Sequence, residues 1–277
     1  MGKRNRPQEL ENTDAVVLRQ ANCAERLVSS VYQFFVEPEQ IQGKNIYITG
    51  SDVNHIKNVL RMKVGEEIAV SNGQDGKEYR CGIVSLDETE VCCELRFVKE
   101  DGLELPVRVH LFQGLPKADK MELIIQKMVE LGVYEIIPVA TKRCVVKLDD
   151  KKAASRKQRW QGIAEAAAKQ SKRRIIPEVS DVMTFGDALQ YADKMDMKLI
   201  PYELAEGMEK TRELMENIEP GWDIAVFIGP EGGFEESEVE KAMSKGMEAV
   251  TLGKRILRTE TAGMTVMSWI MYQMEDR

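Results

Sequence analysis

The sequence predicts an α/β protein in which a small β-barrel precedes a parallel sheet with helices on both faces. Between residues 32 and 95, short β-rich runs recur with turn signals between them, the pattern of a small barrel. Beyond residue 107, strand-like runs alternate with helical ones, and such alternation implies a parallel sheet covered by helices. The two textures meet at the polar stretch Lys99-Glu-Asp-Gly-Leu-Glu-Leu-Pro106, a linker. The expected domains are therefore an extension over residues 1–30, a barrel over 31–103 and an α/β domain over 107–277.

Residues 1–30 are polar and of mixed charge, with a weak helical pattern around Val16. The barrel strands are expected at Gln33-Phe-Phe-Val, Asn45-Ile-Tyr-Ile-Thr, Glu67-Ile-Ala-Val-Ser, Tyr79-Arg-Cys-Gly-Ile-Val and Glu90-Val-Cys-Cys-Glu-Leu, with a turn at Asn72-Gly-Gln-Asp-Gly76. One helix over 52–61 interrupts them. Val53, Ile56, Val59 and Leu60 lie at helical spacing, with Ser51 or Asp52 as cap.

In the second domain Val107 to Phe112 reads as a strand. Asp119-Lys-Met-Glu122 reads as a capping box opening a helix. Met121, Ile124, Ile125, Met128 and Leu131 form its apolar stripe, and Gly132 stands where a C-terminal glycine belongs. Glu135 to Val139 is the next strand. Trp160, Ile163, Ala164, Ala167 and Ala168 stripe a second helix. Strands are expected at Lys198–Tyr202, Ile224–Ile228 and Ala249–Leu252, and a helix over 236–245 ending at Gly246. The last helix, from about Glu260 to Gln273, is apolar around most of its circumference, which suits a core or a subunit interface.

Composition bounds the function. The chain has 277 residues, 43% of them hydrophobic, and a net charge of −7. That is too apolar for a disordered chain, and no apolar run approaches the roughly 20 residues of a membrane helix. The basic N-terminus is followed by no apolar segment, so no secretory signal is expected. The five cysteines form no CxxC pair. A disulfide framework and a structural zinc are not expected, and a cytoplasmic location is. Neither GxSxG nor GxGxxG nor a phosphate-cradling GxxxxGK[ST] occurs, so nothing indicates hydrolase, dinucleotide or triphosphate chemistry.

Charge is unevenly spread. From Lys142 to Arg174 twelve basic residues face three acidic ones. Such a segment on an acidic body reads as a polyanion footprint, or as a solvated helix face beside a basic loop. Lys117 and Lys120 stand near a helix N-terminus, where the macrodipole disfavours cations. Their placement makes sense opposite phosphate.

Two glycine-bearing loops follow strands near the C-terminus, Phe227-Ile-Gly-Pro-Glu-Gly-Gly-Phe234 and Leu252-Gly-Lys-Arg-Ile-Leu-Arg-Thr-Glu-Thr-Ala262. Ligands of open α/β sheets bind where strands give way to loops, and glycine lets the main chain approach them.

Together with Gly114-Leu-Pro-Lys-Ala-Asp-Lys120, Gln126-Lys-Met-Val-Glu-Leu-Gly132 and Arg143-Cys-Val-Val-Lys147, these loops resemble the RsmE family of bacterial 16S rRNA uridine-N3 methyltransferases, within the SPOUT superfamily. Tyr32-Gln-Phe-Phe-Val and His55-Ile-Lys-Asn-Val-Leu-Arg-Met-Lys-Val-Gly65 look like that family's PUA-like RNA-binding barrel. The resemblance covers about residues 31–275. Two departures stand out: residues 1–30 lie outside the family pattern, and Gln33 stands where the family often has an arginine.

The resemblance implies a SPOUT-type parallel sheet with a C-terminal trefoil knot, homodimers packed through the knot, and S-adenosylmethionine held by three loops. The cofactor residues it implies are Tyr202 and Glu203; Ile228, Gly229, Pro230, Glu231 and Gly233; and Leu252, Gly253, Ile256, Leu257, Arg258, Thr261 and Ala262. It implies methyl transfer to N3 of a uridine in helix 44 of 16S rRNA, near the decoding centre, with no metal and no membrane partner. Neutral uracil N3 is a weak nucleophile. A fixed cation beside a carbonyl oxygen would favour the uridinate, and Arg258 is the candidate. Glu260 is the candidate proton acceptor, with a structural ion pair as its other reading. Expected contacts to RNA or the small ribosomal subunit are Arg61, Lys117, Lys120, Lys147, Lys172, Arg173 and Arg174. A non-catalytic RNA-binding or ribosome-assembly protein is the alternative of another class, and the same chemistry on another RNA is the alternative within the class.

Overall fold

The structure, a computed structural model, describes residues 31–100, 103–203, 205 and 207–275. The expected extension over 1–30, its weak helical pattern and Cys23 lie outside the described residues.

The first sheet is curled and six-stranded. Its strands are β1 (Gln33–Phe35), β2 (Ile41–Gln42), β3 (Asn45–Thr49), β4 (Glu67–Ser71), β5 (Glu78–Leu86) and β6 (Glu90–Lys99). They run in the order β1-β4-β5-β6-β3-β2, antiparallel except for the parallel β1–β4 pair. Period-2 alternation turns Ile46 and Ile48 inward with Ile68, Val70, Cys81, Ile83, Val91 and Cys93. Two register shifts along the β5–β6 ladder bend it.

The helix expected over 52–61 is different in detail. α1 (Ser51–Asn54) starts at Gly50, whose φ is 73°, with no side-chain cap from Ser51 or Asp52. It widens into a π-helical turn over His55–Val59, closed by Leu60 N–H donating to the His55 carbonyl at 2.8 Å. A π turn closes its hydrogen bond over one more residue than an α turn, which shifts the side-chain spacing. Val53 and Ile56 therefore stay in the core while Val59 rotates out to 64% exposure.

The second sheet is wholly parallel and seven-stranded. Its strands are β7 (Arg108–Gly114), β8 (Glu135–Ala140), β9 (Glu178–Val179), β10 (Met183–Thr184), β11 (Met197–Pro201), β12 (Asp223–Ile228) and β13 (Glu248–Val250). The order is β10-β8-β7-β12-β11-β13, with β9 beside β8. Its helices are α2 (Lys120–Glu130), α3 (Asp150–Gln170), α4 (Phe185–Ala192), α5 (Met208–Glu216), α6 (Glu236–Ser244) and α7 (Thr259–Met274). Both faces are buried, as a parallel sheet requires. Val109, Leu111, Ile224, Val226 and Ile228 meet α2, α3 and α7. Phe112, Ile137, Ala225 and Phe227 meet α4 and α6, with the Phe112 and Phe227 rings stacked at 4.2 Å.

The stripe on α2 is buried at Met121, Ile124, Ile125 and Met128. Gly132, at φ 95°, ends the helix, with Val133 N–H donating to the Met128 carbonyl. The capping box at Asp119 does not form. Asp119 makes no side-chain cap, and Glu122 instead pairs with Arg159 of α3 at 2.7 Å.

Arg173 and Arg174, expected as RNA contacts, are not on the surface: 6% and 1% of each is exposed. Arg173 pairs with Glu104 at 2.5 Å and donates to the Val133 carbonyl at 2.7 Å. Arg174 reaches Glu78 of β5 at 2.9 Å, and its backbone N–H donates to Glu104. Glu78 also pairs with Arg80. Gln33 donates to the Arg173 carbonyl at 2.9 Å. Buried charges persist where they are paired, and this pair of arginines staples the first sheet to the second.

Candidate active site

The loops after β11, β12 and β13 leave the same end of the sheet and enclose a cavity of about 510 Å³. That is within the roughly 300–1,000 Å³ of small-molecule sites. It lies at the carboxyl ends of parallel strands, where ligands of open α/β sheets bind.

The middle loop turns tightly at the end of β12. A side chain at Gly229 would place its Cβ 3.0 Å from the Gly233 backbone, and Gly233 itself has φ 67°. Pro230 lies against Gly114 at the end of β7, where an added Cβ would stand 2.6 Å from the proline Cδ. The Thr259 hydroxyl donates to the Gly229 carbonyl at 2.6 Å and accepts from the buried Gln113 amide at 2.9 Å. At the rim, the Glu231 carboxylate accepts from Lys117 N–H at 3.1 Å and pairs with Lys120 at 2.9 Å. Burial alone would raise the Glu231 carboxyl, but the Lys120 ammonium and the backbone N–H groups outweigh it and hold it below the usual range. The hydrogen bond to Glu231 in turn raises the Lys120 ammonium.

The third loop is anchored by Thr211 of α5, which donates to the Thr251 carbonyl and accepts from its N–H, both at 3.3 Å. Gly253, at φ 102°, begins its turn. Tyr202 N–H donates to the Val250 carbonyl at 3.0 Å, tying the first loop to the third.

All the residues expected to hold cofactor line this cavity except Thr261, which is exposed on the first turn of α7. Arg258 lines it, exposed, at the N-cap of α7. Glu260 is not among its walls. Its carboxylate lies 3.7 Å from Lys120, which corrects the expectation of a proton acceptor facing substrate. Lys120, expected on RNA, is half-buried in the cavity wall and committed to Glu231. Lys117, Lys147, Lys172 and Arg61 are exposed and do not line the cavity. Arg143, Lys254, Arg255 and Thr259, which are not among the expected cofactor residues, also line it. Arg143 donates to the Gly232 carbonyl at 2.9 Å. All four sit inside or beside the quoted motifs, and only the fold brings Arg143 to the loop it touches. No group of three or more potential metal ligands occurs among the described residues.

Known proteins share this architecture. Residues 103–271 match the model of an RNA methyltransferase domain and residues 48–96 that of an RNA methyltransferase PUA domain. Ribosomal RNA small subunit methyltransferase E of Bacillus subtilis is 39% identical over 249 residues, 88% of this chain and 97% of that protein. The protein of the same name from Mesomycoplasma hyopneumoniae is 33% identical, over 86% of this chain and 98% of its own. The crystal structure of a ribosomal RNA small subunit methyltransferase E from Neisseria gonorrhoeae bound to S-adenosylmethionine is 32% identical, with a TM-score of 0.72 over 86% of this chain and 95% of that one.

Proposed function

The chain belongs to the ribosomal RNA small subunit methyltransferase E family, and from that premise we propose that it transfers a methyl group from S-adenosylmethionine to N3 of a uridine in helix 44 of 16S rRNA. Methylation of small-subunit rRNA is the family's activity. The N3 position and the helix are the finer reading. The observation that carries it is the cavity of three loops, with backbone turns shaped by Gly229, Gly233 and Gly253 and a cation, Arg258, in its wall.

The residues fit the cofactor. The cavity is large enough, half apolar through Leu252, Ile256 and Leu257, and rimmed by the carboxylate of Glu203, a partner for an amino-acid or ribose group. When bound, the cofactor supplies a methyl already activated on a sulfonium. The loops orient the base for in-line approach and exclude water, the main sources of rate when the donor is already reactive. Arg258 stabilises negative charge on a uracil carbonyl as N3 loses its proton. Glu260 lies outside the cavity walls, so the proton passes to water at the open mouth of the cavity, on the side away from the methyl donor.

Arg61, Lys117, Lys147 and Lys172 remain the phosphate contacts in this reading, joined at the mouth by Arg143, Lys254 and Arg255. α7 leaves Tyr272 85% exposed beside half-buried Met264, Trp269 and Met271, and we read that face as the homodimer contact. Its return from edge strand β13 to Leu111 and Ile228 of the central strands supports the trefoil knot. No helix among the described residues is long and apolar enough to cross a membrane, and a cytoplasmic site of action follows from the substrate.

The test is mass mapping of 16S rRNA from cells lacking the gene, before and after incubation with the protein and labelled S-adenosylmethionine. One labelled 3-methyluridine in helix 44 is the expected product. Label on carbon-5, on a ribose or at another site would refute the N3 assignment, and no label would refute the enzyme.

A further inference from the structure

The penultimate residue of β7 is a glutamine whose place in the core has no apolar logic. Gln113 is fully buried. Its amide donates to the Gly114 carbonyl and to the Thr259 hydroxyl, both at 2.9 Å. Its own oxygen is buried without a hydrogen-bond partner among the described residues. Thr259, 6% exposed, then gives its single proton to the Gly229 carbonyl at 2.6 Å. Because its oxygen is occupied by the glutamine N–H, the hydroxyl is aimed at Gly229.

An orphaned buried acceptor costs free energy, whereas an apolar side chain of like volume would remove that orphan but take the donor from the Gly114 carbonyl and the Thr259 oxygen. The cost of the oxygen and the gain from the two bonds are of similar size, so the amide brings little net stability, and its consequence lies in what it holds. What it holds is the Gly229–Pro230 peptide. Pro230 has no N–H, and its ring is wedged against Gly114. The peptide plane is oriented through its carbonyl, by Thr259.

We propose that Gln113 and Thr259 are positioning residues of the methyl-transfer site, a two-bond relay from β7 through the first turn of α7 that sets the cofactor loop. The inference rests on the reading of that cavity as the S-adenosylmethionine site. Neither residue supplies chemistry, and both act through Gly229.

Calorimetric titration of the full-length protein with S-adenosylmethionine, alongside thermal unfolding, tests it. Thr259→Val removes both bonds and is expected to weaken cofactor binding about tenfold. Thr259→Ser, which keeps the hydroxyl, returns it to within about twofold. Gln113→Met removes the orphaned oxygen together with the two bonds from the nitrogen, so it is expected to unfold within about 5 °C of the wild type, yet to bind the cofactor about threefold or more weakly. Affinity lost without a matching loss of stability is what a merely structural role does not produce. Wild-type protein that binds, with Gln113→Met binding equally well or losing stability with affinity unchanged, overturns the relay and leaves the cofactor site standing. Failure of serine to rescue overturns it too. Wild-type protein that binds no cofactor overturns the site, and the relay falls with it. Gln113→Met decides the matter should Thr259→Val not fold.

Discussion

Replacing Arg174 separates a surface cation from a buried staple. The side chain is 1% exposed and faces Glu78, itself 7% exposed, at 2.9 Å across the junction of the two sheets. Arg174→Met deletes one charge of a buried pair and strands much of the other, since among the described residues Glu78 keeps Arg80 alone. Breaking a buried pair in this way costs about 3–5 kcal/mol. That is a large share of a total stability of roughly 5–15 kcal/mol, and at about 2–4 °C per kcal/mol it lowers the melting temperature by roughly 10 °C. Thermal unfolding and urea titration read it. The companion variant Arg174→Met/Glu78→Gln removes the stranded charge and should recover about half of the loss. RNA binding measured against salt supplies the opposing outcome. A phosphate contact removed from the surface would reduce the slope by about one and leave stability within about 0.5 kcal/mol. A variant that melts like the wild type while its salt slope drops would refute the staple.

Gly114→Ala places a Cβ 2.6 Å from Pro230 Cδ and 2.8 Å from its nitrogen, so the loop must shift. We expect about 1–3 kcal/mol of destabilisation with cofactor binding weakened, checked by calorimetry, and unchanged binding would show that the loop yields freely. Arg258→Ala should lose about 100-fold in turnover against a loss of only about threefold in cofactor affinity; near-normal single-turnover rates would reject its role. Far from the cavity, the Arg108 guanidinium, at 2.6 and 2.7 Å, holds the Asp223 carboxyl at about 2 against an ordinary 3.8, with His110 adding a further bond. A carboxyl lowered on folding stabilises above its unfolded value and loses that contribution as pH falls towards the folded one. Asp223→Asn should therefore cost about 1–2 kcal/mol at pH 7, discounted for partial exposure, and the difference should vanish as pH drops from about 4 to 2. A pH-independent difference in urea midpoints would contradict this.

Local patterns carried most of the architecture. Ile46 and Ile48 alternate inward because strand periodicity leaves them one face, and Met121, Ile124, Ile125 and Met128 line α2 because helical spacing leaves them one stripe. The glycine loops after β12 and β13 were legible as a site because backbone that tight at a strand end has few other uses. Short elements with little periodicity, such as α4, α5 and β9, carry no such signal in the sequence, and the π turn over His55–Val59 breaks an otherwise helical spacing.

What the amino-acid order alone determined is what depends on neighbours: the strands, the amphipathic helices, the turns forced by glycine and the loops that end at the cavity. What only the tertiary structure decided is the meaning of charge and of single polar groups. Arg173 and Arg174 stand in a basic run, yet their partners Glu104 and Glu78 lie 69 and 96 residues away. Lys120 finds Glu231, and Gln113 finds Thr259, across comparable gaps. Whether a cation meets solvent, a phosphate or a buried carboxylate is set by desolvation and by what the fold places within about 3 Å. No spacing along the chain encodes that distance.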